Sequence, residues 1–154
     1  MIRLTVAAGA AWRLCGCLAA CRAADTPACP VAWEVTSGVQ SPESAYFDAA
    51  AGVVFVSNIG GGGPTGKDGD GYLSKLTLDG KVAAAKWITG LNAPKGIRCF
   101  GGRLWVSDID QLVGVDIQQG KIVERIAVAG AEFLNDVACD AQGAVYVSDM
   151  TKNR

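Results

Sequence analysis

From about Val31 onward, apolar and polar residues alternate with a period of two, the pattern of half-buried strands rather than of helices. Three runs repeat: "GVVFVSNI" (Gly52–Ile59), "GRLWVSDI" (Gly102–Ile109) and "GAVYVSDM" (Gly143–Met150). Each opens on a glycine turn, continues through an apolar and aromatic core, and closes on Val-Ser-Asp or Val-Ser-Asn. A short strand precedes each: "ESAYFD", "KGIRCF" and "NDVACD". The repeated serines, Ser57, Ser107 and Ser148, are spaced 50 and 41 residues apart.

The segments between the runs also align. "GYLSKLTLDGKVAAAKWITG" (Gly71–Gly90) matches "QLVGVDIQQGKIVERIAVAG" (Gln111–Gly130), and each predicts two alternating strands joined by a hairpin turn. In "LDGK" and "QQGK", Gly80 and Gly120 are expected to supply the positive φ of the turn. One repeat is therefore four short antiparallel strands in roughly 40–50 residues, the signature of a β-propeller blade. The fold class is all-β, with blades over 43–90 and 93–130, and a third over 133–154 that stops after two strands. Phe55, Trp105 and Tyr146 are expected to form the core between blades. Propellers have typically 4–8 blades, so about two and a half blades read as the front of a larger protein, six-bladed when complete.

Composition narrows the chemistry. The chain has 154 residues, a net charge of −1, half its residues apolar and 20 glycines, which fits one globular, turn-rich domain. The near-neutral charge gives no electrostatic case for nucleic acid. Histidine is absent, which excludes a Ser-His-Asp triad, a Cys-His pair and a His-ligated zinc site within this chain.

Residues 1–24 read as a signal peptide or lipoprotein signal, and 25–42 as a linker with a lead-in strand. "MIRLTVAAGAAWRLCGCLAAC" has Arg3 and Arg13 followed by small and apolar residues, and is too short and interrupted for a membrane span. "LAAC" at Leu18–Cys21 resembles a lipobox, in which Cys21 would carry lipid; cleavage near Ala23–Asp25 is the alternative. In both cases the protein is expected to be exported, periplasmic or anchored at the cell envelope, meeting a membrane only through that lipid; a mis-called start codon with no signal is the remaining alternative. Cys15 and Cys17 would leave with the signal. Cys29, Cys99 and Cys139 remain, an odd number that gives no disulfide framework. Cys99 and Cys139 occupy similar places in two repeats and read as small buried apolar residues, with a bridge between them as the alternative.

"GGGGPTGKDGDGYL" (Gly60–Leu73) carries two misleading patterns. Gly61, Gly66 and Lys67 match most of a phosphate-binding loop, but a strand follows where a helix is needed, and Asp68 stands where a hydroxyl should hold magnesium. Nucleotide is therefore not an expected partner. Asp68 and Asp70 open like a calcium loop, but Leu73 replaces the required glycine and Asp79 the bidentate glutamate. The stretch reads instead as a loop between the second and third strands of the first blade.

Strand directions alternate in such a blade, so the start of its first strand and its second-to-third loop share one face. Glu43, Lys95 and Asn135 open the three first strands and are expected to converge at a channel mouth, with the glycine-rich loop above them. Lys95 is expected to be exposed. Asp108 and Asp149 are expected to brace blade ends by local hydrogen bonds. A carboxylate and a carboxamide without histidine suit a hard divalent cation, calcium or magnesium.

"PESAYFD…GVVFVSN" and "LNDVACDAQGAVYVSDM" resemble the senescence marker protein-30/gluconolactonase/luciferin-regenerating-enzyme-like family of six-bladed propellers, over Trp33 to the C-terminus. The resemblance implies that Glu43 is a metal ligand and that Asn135, with Asp136, contacts a small-molecule substrate. The alternatives are a solvated strand start for Glu43 and a tight turn for Asn135-Asp136. The family's other ligands, an Asn and an Asp, come from later blades. Phe133 stands where its lactonases carry an Arg, so the resemblance does not extend to sugar-lactone specificity. The implied function of the complete protein is metal-dependent lactone or ester hydrolysis, this portion alone being inactive; the alternative is a non-catalytic propeller that binds or scaffolds.

Overall fold

The computed structural model describes residues 2–4, by their backbone, and residues 30–154. The proposed lipidation site Cys21 and most of the proposed signal lie outside the described residues. Twelve strands and no helix occur among those described. Strand β1 (Ile2–Leu4) pairs antiparallel with β2 (Trp33–Val35). Two four-stranded antiparallel sheets follow, β3 (Pro42–Asp48), β4 (Val53–Asn58), β5 (Gly71–Leu76) and β6 (Val82–Leu91), then β7 (Pro94–Phe100), β8 (Arg103–Asp108), β9 (Gln111–Asp116) and β10 (Lys121–Ala127). A third sheet has two strands, β11 (Leu134–Cys139) and β12 (Val145–Asp149). In all three, neighbours in sequence are neighbours in space, the meander that short glycine turns dictate. Gly80 and Gly120 do take positive φ, 80° and 64°, in their hairpins.

No sheet closes on itself, and the described residues form no closed ring. The sheets stack, and their faces are set by the pleat. Val54 and Val56 point away from the second sheet and pack with Val35 and Leu76. Phe55, one residue out of phase, points the other way and packs with Ile97, Leu104 and Val106 of the second sheet. Trp87 stacks on Phe55 with ring centroids 4.9 Å apart. The three equivalent aromatics differ sharply in burial. Phe55 is fully buried and Trp105 half-buried, whereas Tyr146 is 58% exposed. Tyr146 is thus not a core residue here: the face that covers Phe55 is the next sheet, and among the described residues no sheet follows β12.

Candidate functional site

Strands β3, β7 and β11 lie side by side at the contacts between sheets. The repeated serine fixes their alignment. Ser57 Oγ accepts the Ser44 N–H at 3.0 Å and donates to the Lys95 carbonyl at 2.7 Å, joining the starts of β3 and β7. Ser107 Oγ donates to the Asn135 carbonyl and makes a longer bond, 3.4 Å, to the Gly96 carbonyl, joining β7 to β11. Gly96 permits this approach, because a Cβ there would stand 2.6 Å from the Asn135 carbonyl oxygen and 2.8 Å from the Asp136 Cα. Glu43, Lys95, Asn135 and Asp136 are thereby carried to one edge. Glu43 and Asp136 are exposed there, and Asn135 is half-buried.

The repeated acid after each serine closes the loop into its own sheet, as expected. Asp108 accepts the amides of Asn92 and Ala93 at 2.9–3.1 Å and the Gln111 side chain at 2.9 Å. Asp149 accepts the amides of Glu132, Phe133 and Lys152 at 3.1–3.2 Å. Asn58 does the same work in the first sheet, accepting from Gln40 and donating to Val56 and Ser74.

Lys95 departs from expectation: it is 1% exposed. Its Nζ donates to the carbonyls of Pro64 and Ala93, each at 2.9 Å, and lies 4.2 Å from the centroid of the Phe133 ring. Burial lowers its pKa, while the charges of Glu43 and Asp108 oppose that shift. Loss of solvent around the Glu43 carboxyl raises its pKa; the Lys95 ammonium works against this and the Asp136 carboxylate adds to it. Pro64 and Phe133 carried no sequence signal for this role, since one contributes only its backbone oxygen and the other reads as an ordinary apolar residue.

The Gly60–Asp70 loop does hang over this edge. Asp70 accepts the Gly61 amide at 2.7 Å, and Asp68 accepts the Asp70 amide at 3.2 Å. Both aspartates are thus spent on the loop's own backbone. Lys67 reaches Asp110 at 2.6 Å across exposed surface.

The acidic residues described at this edge, Glu43 and Asp136, fall short of a full divalent-cation ligand set. Among the described residues no three acidic, cysteine or histidine side chains converge. Calcium takes roughly 6–8 oxygen ligands, and the positive charge at this edge is already the Lys95 ammonium. A cavity of about 790 Å³ lies elsewhere, lined by Tyr46, Asp48, Cys99, Phe100 and Asp116 at the hairpin end of the sheets. At ~3.3 Å per residue, Asp48 is about 16 Å along β3 from Glu43.

Cys99 and Cys139 are free thiols, both half-buried. Cys99 lines that cavity; burial pushes the Cys139 thiol up, with Arg98 opposing and Asp140 adding to the shift. Burial, followed by a hydrogen bond to Asp48 and the Asp48 charge, pushes the Cys99 thiol up to about 11.

Comparison with protein-family models, curated proteins and solved structures finds no match for this chain.

Proposed function

We propose that the chain forms the leading part of a β-propeller of the gluconolactonase-like kind, and that the edge bearing Glu43, Lys95, Asn135 and Asp136 is its functional site. The observation that carries this reading is the repeated serine bond, which brings the starts of three successive first strands together. In the hydrolase form of the proposal, Glu43 begins the ligand set of a divalent cation, calcium or magnesium, and Asn135 and Asp136 orient a small lactone or ester. The protein is exported, either periplasmic or anchored at the cell envelope, with Cys21 as the lipid attachment point in the anchored form. Hydrolysis of a lactone and ester panel by the protein carrying this chain, dependent on added calcium or magnesium and lost in Glu43→Gln, supports the proposal. Metal-dependent activity that survives Glu43→Gln removes Glu43 from the ligand set.

A second reading, a non-catalytic binding or scaffold module, is favoured by the buried ammonium beside Glu43 and by the absence of three convergent ligands among the described residues. Retention of an immobilised lactone without turnover, with or without metal, would select it.

A further inference from the structure

A buried ammonium is costly unless its hydration is replaced. Lys95 replaces it without an ion pair inside 4 Å among the described residues. Its three neighbours come from three places in the chain. Ala93 belongs to the link between the first two sheets, Pro64 to the middle of the Gly60–Asp70 loop, and Phe133 to the lead into β11. The loop is also tied at its start, where the Gly60 amide donates to the Gln40 carbonyl at 3.4 Å, and by the Lys67–Asp110 pair, whose side chains are 55% and 41% exposed. Exposed pairs of this kind contribute little. The loop residues around Pro64 are themselves largely exposed. At the middle of the loop, the bond from the buried Lys95 ammonium to the Pro64 carbonyl is therefore the main tie to the sheets.

We propose that Lys95 is a positioning residue whose ammonium supplies the positive charge at the edge that carries Glu43 and fastens the Gly60–Asp70 loop across the edge where β3, β7 and β11 begin. This role rests on that edge being the functional site; it stands in place of the divalent-cation form of that proposal and needs no hydrolytic activity. It turns the mismatch between the residues present and a divalent-cation site into a prediction: the edge is neutralised from within, and the loop and the ammonium move together. When the loop lifts, Pro64 leaves Lys95, and the amine meets solvent beside Glu43 and Asp136.

The test uses the unsubstituted chain first. Hydrogen exchange of the Gly60–Asp70 amides and acylation of Lys95 by an acetyl succinimidyl ester are followed together through a series of sub-denaturing urea concentrations. Both are expected to rise in step, while Lys67 is acylated without delay. Acylation of Lys95 while the loop amides remain protected overturns the proposal. In Lys95→Met, loop exchange is expected to quicken by about tenfold, the loss of one charged hydrogen bond, with the β8 amides still protected. Loop exchange unchanged in a folded Lys95→Met also overturns it; if that variant loses β8 protection, the unsubstituted chain decides. Calcium is expected to leave both loop exchange and the melting temperature of the unsubstituted chain unaltered. Stabilisation by calcium that is lost in Glu43→Gln would overturn the cation-replacing role while favouring the metal-ligand reading. A lactone panel that shows no turnover would count against hydrolysis and leave Lys95's role standing.

Discussion

The hydroxyl of Ser57 donates to the carbonyl of Lys95 at 2.7 Å, across 38 residues of chain. Ser107 repeats the bond to Asn135 one sheet later. Ser148 stands at the same repeat position but is exposed, and it accepts the Asp136 amide within its own sheet at 3.0 Å. Ser57→Ala removes a fully buried partner from the Ser44 amide and the Lys95 carbonyl, and is expected to cost about 1–3 kcal/mol. Ser148→Ala is expected to stay within about 0.5 kcal/mol of the parent. Urea unfolding of both variants checks the contrast; equal losses would show that the bond between sheets is not what the serine contributes.

Gly96→Ala pushes a methyl group against backbone rather than against a flexible side chain, with the Asn135 carbonyl oxygen 2.6 Å away. β11 must shift or the chain must strain, at a cost of about 1–3 kcal/mol. Amide protection in β11 and β12 should fall more than in β4 and β5. A uniform loss across all strands would contradict a local packing origin.

Asp108→Ala leaves the Asn92 and Ala93 amides without their acceptor at a place where Asp108 and Ala93 are both fully buried. Its expected cost is about 1–3 kcal/mol. Asp108→Asn keeps one oxygen for those amides and should recover part of the loss in the same unfolding measurement.

The Cys99 thiol, raised to about 11 from an ordinary value of 9.0, should resist alkylation near neutral pH. Iodoacetamide labelling is expected to accelerate with each pH unit until about pH 11. The folded state binds the thiol proton more tightly than the unfolded chain does. Its contribution to stability is therefore fully present below pH 9 and is lost as pH rises towards 11. Cys99→Ala should flatten that part of the stability profile. A labelling rate already at its plateau at pH 8 would refute the raised value.

Val54, Phe55 and Val56 show how much of the fold was legible in the sequence. Period-two alternation places strands and assigns their faces, because successive Cβ atoms of a strand point to opposite sides. Glycine turns of limited length then leave few options but a meander. The repeat also made Glu43, Lys95 and Asn135 equivalent strand openings, and the exclusion of a phosphate loop followed from the strand after Gly71. Lys95 and Tyr146 show where that legibility stops. A lysine at a strand start is ordinarily solvated, and only the distant Pro64 carbonyl, the Ala93 carbonyl and the Phe133 ring make its burial tolerable. Tyr146 has the same local pattern as Phe55, yet its exposure depends on whether another sheet covers it, and local periodicity does not encode that.

The sequence by itself determined the strands, their order, the turn glycines and the repeated serine and acid, since these depend on side-chain period and backbone preference within a few residues. Only the tertiary structure decided that Ser57 reaches Lys95, that Gly96 lets β11 come close, and that the buried Lys95 ammonium meets the Pro64 carbonyl of the loop. Each of these joins groups distant along the chain, and their distances are set by how whole sheets pack rather than by any local propensity.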